Sequence, residues 1–254
     1  MRKLLLFSLL GLFACNSGIK LPKKMPLRAI DQSFALAFNT HIDSLWLQYH
    51  PQAVLIDPSG EIYASETDRR SRLENLQKDL KGIKEVHTLV SQKAGRRQNF
   101  NYEIGSFQGN NQQEYAFVLV SQMIGKQYLR KLEMIVPLEG ETPRSSVLKA
   151  FREKWIQLCN QHDAEALVNQ VYTPNTLYYN HKPMVIGREA VTKEYAYMNN
   201  EAYQLHLEPI SILPIQTGLI FEIGQCSGSY NDKYILVWQL QEDGNWQVLM
   251  DSNI

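Results

Sequence analysis

The sequence has no excess of charge of either sign, few cysteines and no apolar run long enough to span a membrane. Its 254 residues carry 26 Lys and Arg against 26 Asp and Glu, so the formal net charge is zero. No charged block stands out along the chain, and this balance argues against nucleic acid as a partner. The chain also has no Walker loop, dinucleotide fingerprint or nucleophile elbow, so we expect no cofactor.

One apolar run, from Leu4 to Phe13, lies close to the start of the sequence. The run is too short to cross a bilayer as a helix, but a basic head before it and the small Ala14 after it are typical of a secretory signal peptide. The stretch Leu12-Phe13-Ala14-Cys15 resembles the lipobox of bacterial lipoproteins, in which cleavage leaves the cysteine as the acylated N-terminus. The alternative is an ordinary signal peptide with a chance cysteine.

The lipobox predicts three functional segments at this end of the chain. We expect a signal peptide over residues 1–14 and, over residues 15–30, a lipidated Cys15 followed by a solvated tether with two prolines and little apolar pattern. The resemblance implies acyl chains such as palmitate on Cys15 and, because Asn16 follows, an outer membrane location facing the periplasm. The membrane is then a partner through the lipid anchor.

Two further cysteines, Cys159 and Cys226, complete the set of three. An oxidising compartment would permit a disulfide between them. The pattern around Cys159 is helical and that around Cys226 is strand-like, and free buried cysteines are common. Both alternatives stay open at the level of sequence.

The chain repeats itself. The stretch "YEIGSFQG" at residues 102–109 returns as "FEIGQCSG" at residues 221–228, which places Glu103 opposite Glu222 and Gly105 opposite Gly224. Upstream, "YHPQAVLID" at residues 49–57 faces "YTPNTLYYN" at residues 172–180. Copies of about 110 residues are large enough to hold their own cores. The Pro- and Ser-containing stretch between them predicts a first domain over 31–137, a linker over 138–145 and a second domain over 146–254.

In each copy the apolar pattern is typical of helices first and of long strands afterwards, which predicts an α+β fold with a mostly antiparallel sheet. We expect Asp31 to cap the first helix, and Asp163 to cap a later one. A further helix is predicted from Thr67 to Lys81, and its counterpart is predicted to start at Gly187.

The last hairpin can be predicted residue by residue. Asp243-Gly244 is a strong signal for a two-residue turn, and such a turn would pair Trp238 with Leu249 and Leu236 with Asp251. Side chains alternate along a strand, and both faces of this hairpin are mostly apolar. We therefore expect one face to pack on helices and the other on a neighbouring surface.

Residues 221–254 resemble the end of SnoaL-like domains in the nuclear transport factor 2-like superfamily. The resemblance rests on an apolar-Glu-apolar-Gly strand, a "VW" strand, a "DG-x-W" hairpin and a late Asp, and it extends upstream through "YTPNTLYYNHKPMVIGREAVTKEY". It implies two tandem cone-shaped domains, each a curved sheet wrapped around helices with an apolar pocket inside. The first copy matches more loosely, with Leu119 in place of Trp238 and Glu133 in place of Asp251.

The same resemblance implies site chemistry. Enzymes of the superfamily use Asp, His, Tyr or Arg inside the cone as acids and bases, and many members only bind or assemble. The candidate catalytic group in the second domain is Asp251 with His206 or Tyr179; the alternative for Asp251 is a bond to backbone at the strand end. The candidate ligand-binding residues are Trp238, Tyr234, Glu222, Tyr195 and Trp155.

Two of these residues have a competing structural interpretation. Glu222 recurs as Glu103, so it can instead be a feature of the sheet bend, bonded to helix termini, with the glycines beside it at bulges. His206 and Glu208 have a spacing that suits a metal ion, but no third ligand is evident, so we expect no metal site.

Three functions remain open. The first is a lipid-anchored, cell-envelope protein that binds a small apolar or amphipathic ligand. The second is a cofactor-independent isomerase, dehydratase or hydrolase in the second domain. The third is a non-catalytic interaction module. In each case we expect the two copies to form an intramolecular pseudo-dimer through their spare apolar sheet faces.

Overall fold

A computed structural model describes residues 29–254 of the chain, apart from residues 41 and 181. The predicted signal peptide, the lipidation of Cys15 and almost all of the tether lie outside the described residues. Within the described part, no helix is both long and apolar enough to span a bilayer.

The first half of the chain forms one sheet with helices beside it. Its elements are α1 (Ala29–Thr40), α2 (Ile42–Trp46), β1 (Tyr49–Ile56), β2 (Ile62–Tyr63), α3 (Glu66–Leu80), β3 (Ile83–Ala94), β4 (Phe100–Gly109), β5 (Glu114–Ile124) and β6 (Gln127–Pro137).

The second half repeats this order after a short connection. Its elements are α4 (Leu148–Asn160), α5 (Ala164–Val171), β7 (Tyr172–Tyr179), β8 (Val185–Ile186), α6 (Arg188–Tyr195), β9 (Leu205–Gln216), β10 (Leu219–Gly228), β11 (Asp232–Leu240) and β12 (Trp246–Asn253), with 3-10 turns at Ser145–Val147 and Ala196–Asn199.

The two sheets have the same topology. Both are six-stranded, in the orders β2-β1-β6-β5-β4-β3 and β8-β7-β12-β11-β10-β9. One pair in each sheet is parallel, β1 with β6 and β7 with β12, and all other pairs are antiparallel. The predicted fold class, α+β with two tandem domains, is confirmed.

Side-chain N-caps set the start of two helices, α3 and α5. Asp163 caps α5 as predicted, with Oδ1 accepting from the Ala166 amide at 2.8 Å. The helix predicted from Thr67 begins one residue earlier, because Ser65 is its N-cap and accepts from the Asp68 amide at 3.1 Å. The prediction for Asp31 is wrong: α1 already begins at Ala29, so Asp31 lies in the first turn of the helix.

The repeated Glu-Ile-Gly phrase marks the bend of each sheet. The strand pairing shifts by one residue opposite Gly105 and again opposite Gly224, which is a β-bulge in the edge strand β3 or β9. A Cβ at Gly105 would lie 2.7 Å from the carbonyl oxygen of His87, and one at Gly224 would lie 2.6 Å from that of Glu208. Only glycine permits this close backbone approach.

The final hairpin keeps the predicted register only in the part that is distant from its turn. Leu236 pairs with Asp251 as predicted, but Trp238 pairs with Val248, so the predicted pairing of Trp238 with Leu249 is wrong. A bulge in β12 makes Leu249 an extra residue between two paired ones. A bulge turns the side chains beyond it to the opposite face, which strict alternation does not predict.

Three apolar clusters hold the molecule together. One lies between the helices and the sheet of the first domain, and a second holds the same place in the second domain. The third contains residues of both sheets, among them Tyr102, Ile104, Phe221 and Met250, so the two remaining sheet faces pack against each other. Across it, the hydroxyl oxygens of Tyr102 and Ser252 lie 3.3 Å apart.

Both described cysteines are free thiols. Cys159 is buried on α4 and Cys226 is buried on β10, the helix and strand positions that their sequence surroundings predict. The structure thus favours the free alternative over the disulfide.

Candidate functional site

A cavity of about 670 Å³ opens between the helices and the sheet of the second domain. This volume falls within the range of small-molecule sites, which is roughly 300–1,000 Å³. Most of its walls are aromatic and aliphatic side chains, including Trp155, Tyr195, Tyr203, Leu205, Leu207 and Tyr234. One carboxyl side chain, that of Asp251, belongs to the lining.

Asp251 has no solvent-exposed surface and is held by two tyrosines. The Tyr172 hydroxyl donates to Oδ2 at 2.8 Å, and the Tyr195 hydroxyl donates to the same oxygen. Oδ1 has no hydrogen-bond partner among the described residues. Burial raises the pKa of Asp251 to about 6, although the two hydroxyls oppose that rise because they stabilise the charged form.

Three elements bring this carboxyl-tyrosine group together. Asp251 lies on β12 opposite Tyr178, Tyr172 is the first residue of β7, and Tyr195 is the last residue of α6. The Tyr172 and Tyr195 rings have their centres 5.8 Å apart. Both phenols are buried, and burial raises their pKa values well above the usual 10, so both remain hydrogen-bond donors at neutral pH.

A polar chain continues from this group along the cavity wall. The Asn253 side-chain amide donates to the Tyr195 hydroxyl at 3.2 Å, and the Tyr178 hydroxyl donates to Asn253 at 2.8 Å. The Asn180 side chain then donates to the Tyr178 hydroxyl at 3.0 Å. Asn180 and Asn253 both line the cavity, so its interior offers amide groups beside the carboxyl.

Glu222 has a different environment from Asp251. Arg152 on α4 donates to both of its oxygens at 2.8 and 2.7 Å, and Tyr234 and the Trp238 indole donate at 2.7 and 3.0 Å. The prediction that Glu222 bonds to helix termini is wrong, because its partners are side chains. Glu222 and Trp238 are both fully buried and lie outside the cavity lining, where they tie the sheet to α4.

The structure does not bring His206 or Tyr179 to the cavity. His206 is exposed on the edge strand β9, where it pairs with Ser227. Tyr179 belongs to the apolar cluster between the two sheets, and burial raises its pKa to about 12. Asp251, Tyr195, Trp155 and Tyr234 are the predicted site residues that do lie together in the lining.

Two parts of the site were missed at the level of sequence, namely Tyr172, which donates to Asp251, and the part of the cavity lining that comes from the first domain. Tyr172 opens the repeated Y-x-P stretch, so its alignment with Tyr49 was the signal that could have pointed to it. Five residues of the first domain also line the cavity, namely Arg96, Arg97, Asn99, Phe100 and Gln122. No sequence signal links these residues to the second domain, because their position depends on how the two sheets pack.

Metal ligands do not cluster here. Across residues 29–254, with residues 41 and 181 left aside, no group of three or more His, Cys, Asp or Glu side chains is arranged to hold a metal ion.

No protein-family model and no curated protein matches the chain. Among solved structures, the chain is similar to an NTF-2-like protein of unknown function from Shewanella oneidensis, with 13% identity and a TM-score of 0.38 over 42% of this chain and 96% of that one. It is similar to a ketosteroid isomerase-like protein from Erwinia carotovora atroseptica, with 14% identity and a TM-score of 0.36 over 42% and 92% of the two chains. A domain of unknown function with a cystatin-like fold from Nostoc punctiforme has 14% identity and a TM-score of 0.37 over 42% and 74%. At these identities the likeness concerns the fold alone.

Proposed function

We propose that the second domain binds a small, mostly apolar molecule in its cavity. The observation that carries this proposal is the cavity of about 670 Å³, lined by aromatic side chains and by one buried carboxyl group. Sites of this kind bind by burying apolar surface and use a few polar groups to orient the ligand. An interaction module with filled cones is less consistent with a cavity of this size.

Asp251 gives the bound molecule an orientation. Its Oδ2 accepts two tyrosine hydrogen bonds, whereas Oδ1 has no partner among the described residues. A buried acceptor without a partner costs about 1–3 kcal/mol, and a ligand that donates an O–H or N–H bond to Oδ1 would recover much of that cost. We therefore expect the ligand to carry one donor group at its inner end.

Native mass spectrometry of the purified protein tests the proposal. The expected result is a co-purified small molecule that is lost in Leu207→Trp, since Leu207 lines the cavity and the larger side chain fills it. Leu240→Trp is the matched control, because Leu240 is exposed on β11 and lies outside the lining. Retention of the molecule by a folded Leu207→Trp variant would place binding elsewhere and end the proposal.

A second candidate is acid-base catalysis on the bound molecule by Asp251. With a pKa of about 6, the carboxyl group exchanges a proton near neutral pH, which suits a general base that takes a proton and returns it to another position. Once the ligand is identified, Asp251→Asn should abolish its conversion without lowering the melting temperature at pH 7. A collapse in stability together with retained turnover would mark Asp251 as structural.

We also propose that the chain is anchored to the cell envelope through Cys15, and that its two domains act as an internal pseudo-dimer. The lipobox-like stretch supports the first proposal, and the shared apolar cluster between the sheets supports the second. A Cys15→Ser variant should leave the membrane fraction for the soluble one. Continued fractionation of that variant with membranes would contradict the anchor.

A further inference from the structure

The mouth of the second-domain cavity is built partly by the first domain. The loop between β3 and β4, residues 95–99, reaches across the boundary and places Arg96, Arg97 and Asn99 in the lining. The loop is a tight turn in which the Gln98 amide donates to the Gly95 carbonyl at 2.7 Å.

This loop is fixed to the second domain at its first residue, Gly95. The Gly95 amide donates to Asp232 Oδ1 at 2.9 Å, across the domain boundary. Phe100 and Ile254 are both buried beside the loop and both line the cavity. Gly95 has a φ of +78° and packs within 3.6 Å of Ile254, measured from where its Cβ would stand, so the turn suits glycine. The arginines therefore project from a base that the second domain holds in place.

Arg96 and Arg97 are exposed and form no ion pair with any described residue. A carboxylate oxygen beside the loop, Asp232 Oδ1, already accepts from the amides of Gly95 and Lys233. Burial, above all, raises the pKa of Tyr230 in the cavity wall to about 12; the charge of Asp232 adds to that rise and the charge of Arg96 opposes it. The positive charge of the loop thus reaches the lining.

The lining is asymmetric in charge. Its charged side chains are two cations, Arg96 and Arg97, and one carboxyl side chain, that of Asp251, which is fully buried. The other polar lining groups are neutral side chains, among them Gln122, Asn180 and Ser229. A guanidinium group donates in a planar fork that matches carboxylate and phosphate oxygens, so two adjacent arginines at an apolar opening favour an anionic head.

We propose that the ligand is an amphipathic anion whose apolar body lies in the second-domain cavity and whose acidic head binds Arg96 and Arg97 of the first domain. This inference rests on the proposed binding function and adds the ligand's chemical class. It also gives the two domains one joint task, because neither domain alone contains both the apolar walls and the cationic mouth.

A pair of fluorescent probes that differ in one acidic group tests the inference. 8-Anilino-1-naphthalenesulfonate and N-phenyl-1-naphthylamine share one apolar body, and only the first carries a sulfonate. We expect the sulfonate to bind the purified protein more tightly. Arg96→Gln/Arg97→Gln should raise its Kd about tenfold or more, as expected for loss of hydrogen bonds to a charged group, and should change the neutral probe less than twofold.

The matched control removes two charges from the same domain away from the cavity. Lys84→Gln/Lys126→Gln alters two exposed lysines that are not in the lining, and both probes should keep their affinities. An unchanged sulfonate Kd in the double arginine variant, or an equal change in the double lysine variant, would overturn the acidic subsite.

The cavity-filling variant Leu207→Trp distinguishes a failure of the acidic subsite from a failure of the proposed binding function. If Leu207→Trp abolishes binding of the neutral probe while the arginine variant leaves the sulfonate unaffected, the cavity binds ligands but the acidic subsite is wrong. If both probes keep their affinities in Leu207→Trp, they bind elsewhere and the binding function fails too. Cys226→Phe, a second lining position, provides the same measurement should Leu207→Trp not fold.

Discussion

The two domains carry one shared arrangement, a tyrosine hydroxyl bonded to a carboxylate, in two different surroundings. In the first domain the Tyr49 hydroxyl donates to Glu133, and in the second the Tyr172 hydroxyl donates to Asp251. Tyr49 and Tyr172 are the first residues of the matching strands β1 and β7. The carboxylates also match, since Glu133 pairs across the parallel ladder with Leu55, and Asp251 pairs with Tyr178.

The difference lies in what neutralises each carboxylate. Glu133 receives a charged partner, the buried guanidinium of Arg130, which also lies 3.6 Å over the ring of Phe34. Asp251 accepts a second hydrogen bond, from the Tyr195 hydroxyl, and forms no ion pair with any described residue. An ion pair saturates a buried carboxylate, whereas neutral donors leave part of the desolvation cost in place.

This contrast shows how one copy of a duplicated fold can become the binding copy. A group whose interactions are all satisfied within the protein has little to offer a ligand, while a group with a raised pKa and an unused oxygen does. Because Glu133 is paired with Arg130, its role is structural. The corresponding space beside Asp251 is bordered by a cavity.

The largest expected effect comes from breaking the first-domain pair. Arg130→Leu leaves Glu133 buried with only its tyrosine partner, and loss of one member of a buried ion pair costs about 3–5 kcal/mol. Urea unfolding at pH 7 measures this loss. The matched control is Arg70→Leu: Arg70 bridges both Asp43 and Glu74 on the surface, and surface pairs contribute about 0–1 kcal/mol. Equal losses in the two variants would refute the role assigned to Arg130.

The Asp251→Asn variant tests the contrast between the two carboxylates through the pH dependence of stability. The pKa of Asp251 is about 6 in the folded protein against an ordinary value of 3.8, so the folded state holds this proton more tightly than the unfolded chain does. Its contribution to stability therefore falls as pH rises from about 4 to about 6, by about 3 kcal/mol in total.

The asparagine variant cannot titrate and should lack this fall. The measurement is the free energy of unfolding of both proteins at several pH values from 4 to 7. Asp43→Asn, at an exposed position, serves as the control and should follow the native protein. Parallel profiles for the native protein and Asp251→Asn would show that this carboxyl group is not the one that titrates there.

A smaller effect is expected from removing one hydroxyl donor. Tyr172→Phe deletes a hydrogen bond that stabilises the charged form of Asp251, so its pKa should rise further, by about one unit or about 1.4 kcal/mol. The pH range over which stability falls should then extend above 6. Tyr178→Phe is the control, because that hydroxyl bonds to Asn253 and Asn180 and not to Asp251. A shift as large in the control as in Tyr172→Phe would point to packing as the cause.

Much of the fold could be predicted because the repeat constrains it twice. The glycines beside Glu103 and Glu222 indicated where each sheet bends, and both positions do show a bulge and a close backbone approach. The register of the last hairpin could not be predicted in full. Its bulge at Leu249 puts Val248 and Met250 on opposite faces of the sheet although the two alternate regularly in the sequence, so no sequence pattern records it.

The candidate site was predictable only where its residues face their own domain's helices. Asp251 and Tyr195 lie on such faces and were anticipated. Trp238 was predicted to line the pocket, but its indole N–H donates to Glu222 instead. Arg96 and Arg97 belong to another domain, and their place at the cavity depends on packing between the sheets that local patterns do not encode.

The smallest expected effect concerns a feature that the two domains share, a glycine in the turn of the last hairpin. Gly125 and Gly244 occupy the same turn of the last hairpin in each domain, with φ of +62° and +83° and nothing within 4 Å of an added Cβ. Alanine at either position fits sterically but must adopt a left-handed backbone, which costs about 1 kcal/mol. Gly125→Ala and Gly244→Ala should therefore lower the free energy of urea unfolding by about the same amount. Gly218→Ala is the control, since its φ is not positive and an added Cβ meets nothing closer than 3.9 Å. Because alanine also restricts the unfolded chain, that control should be neutral or slightly stabilising, and a clear loss there would show that the turn glycines are not special.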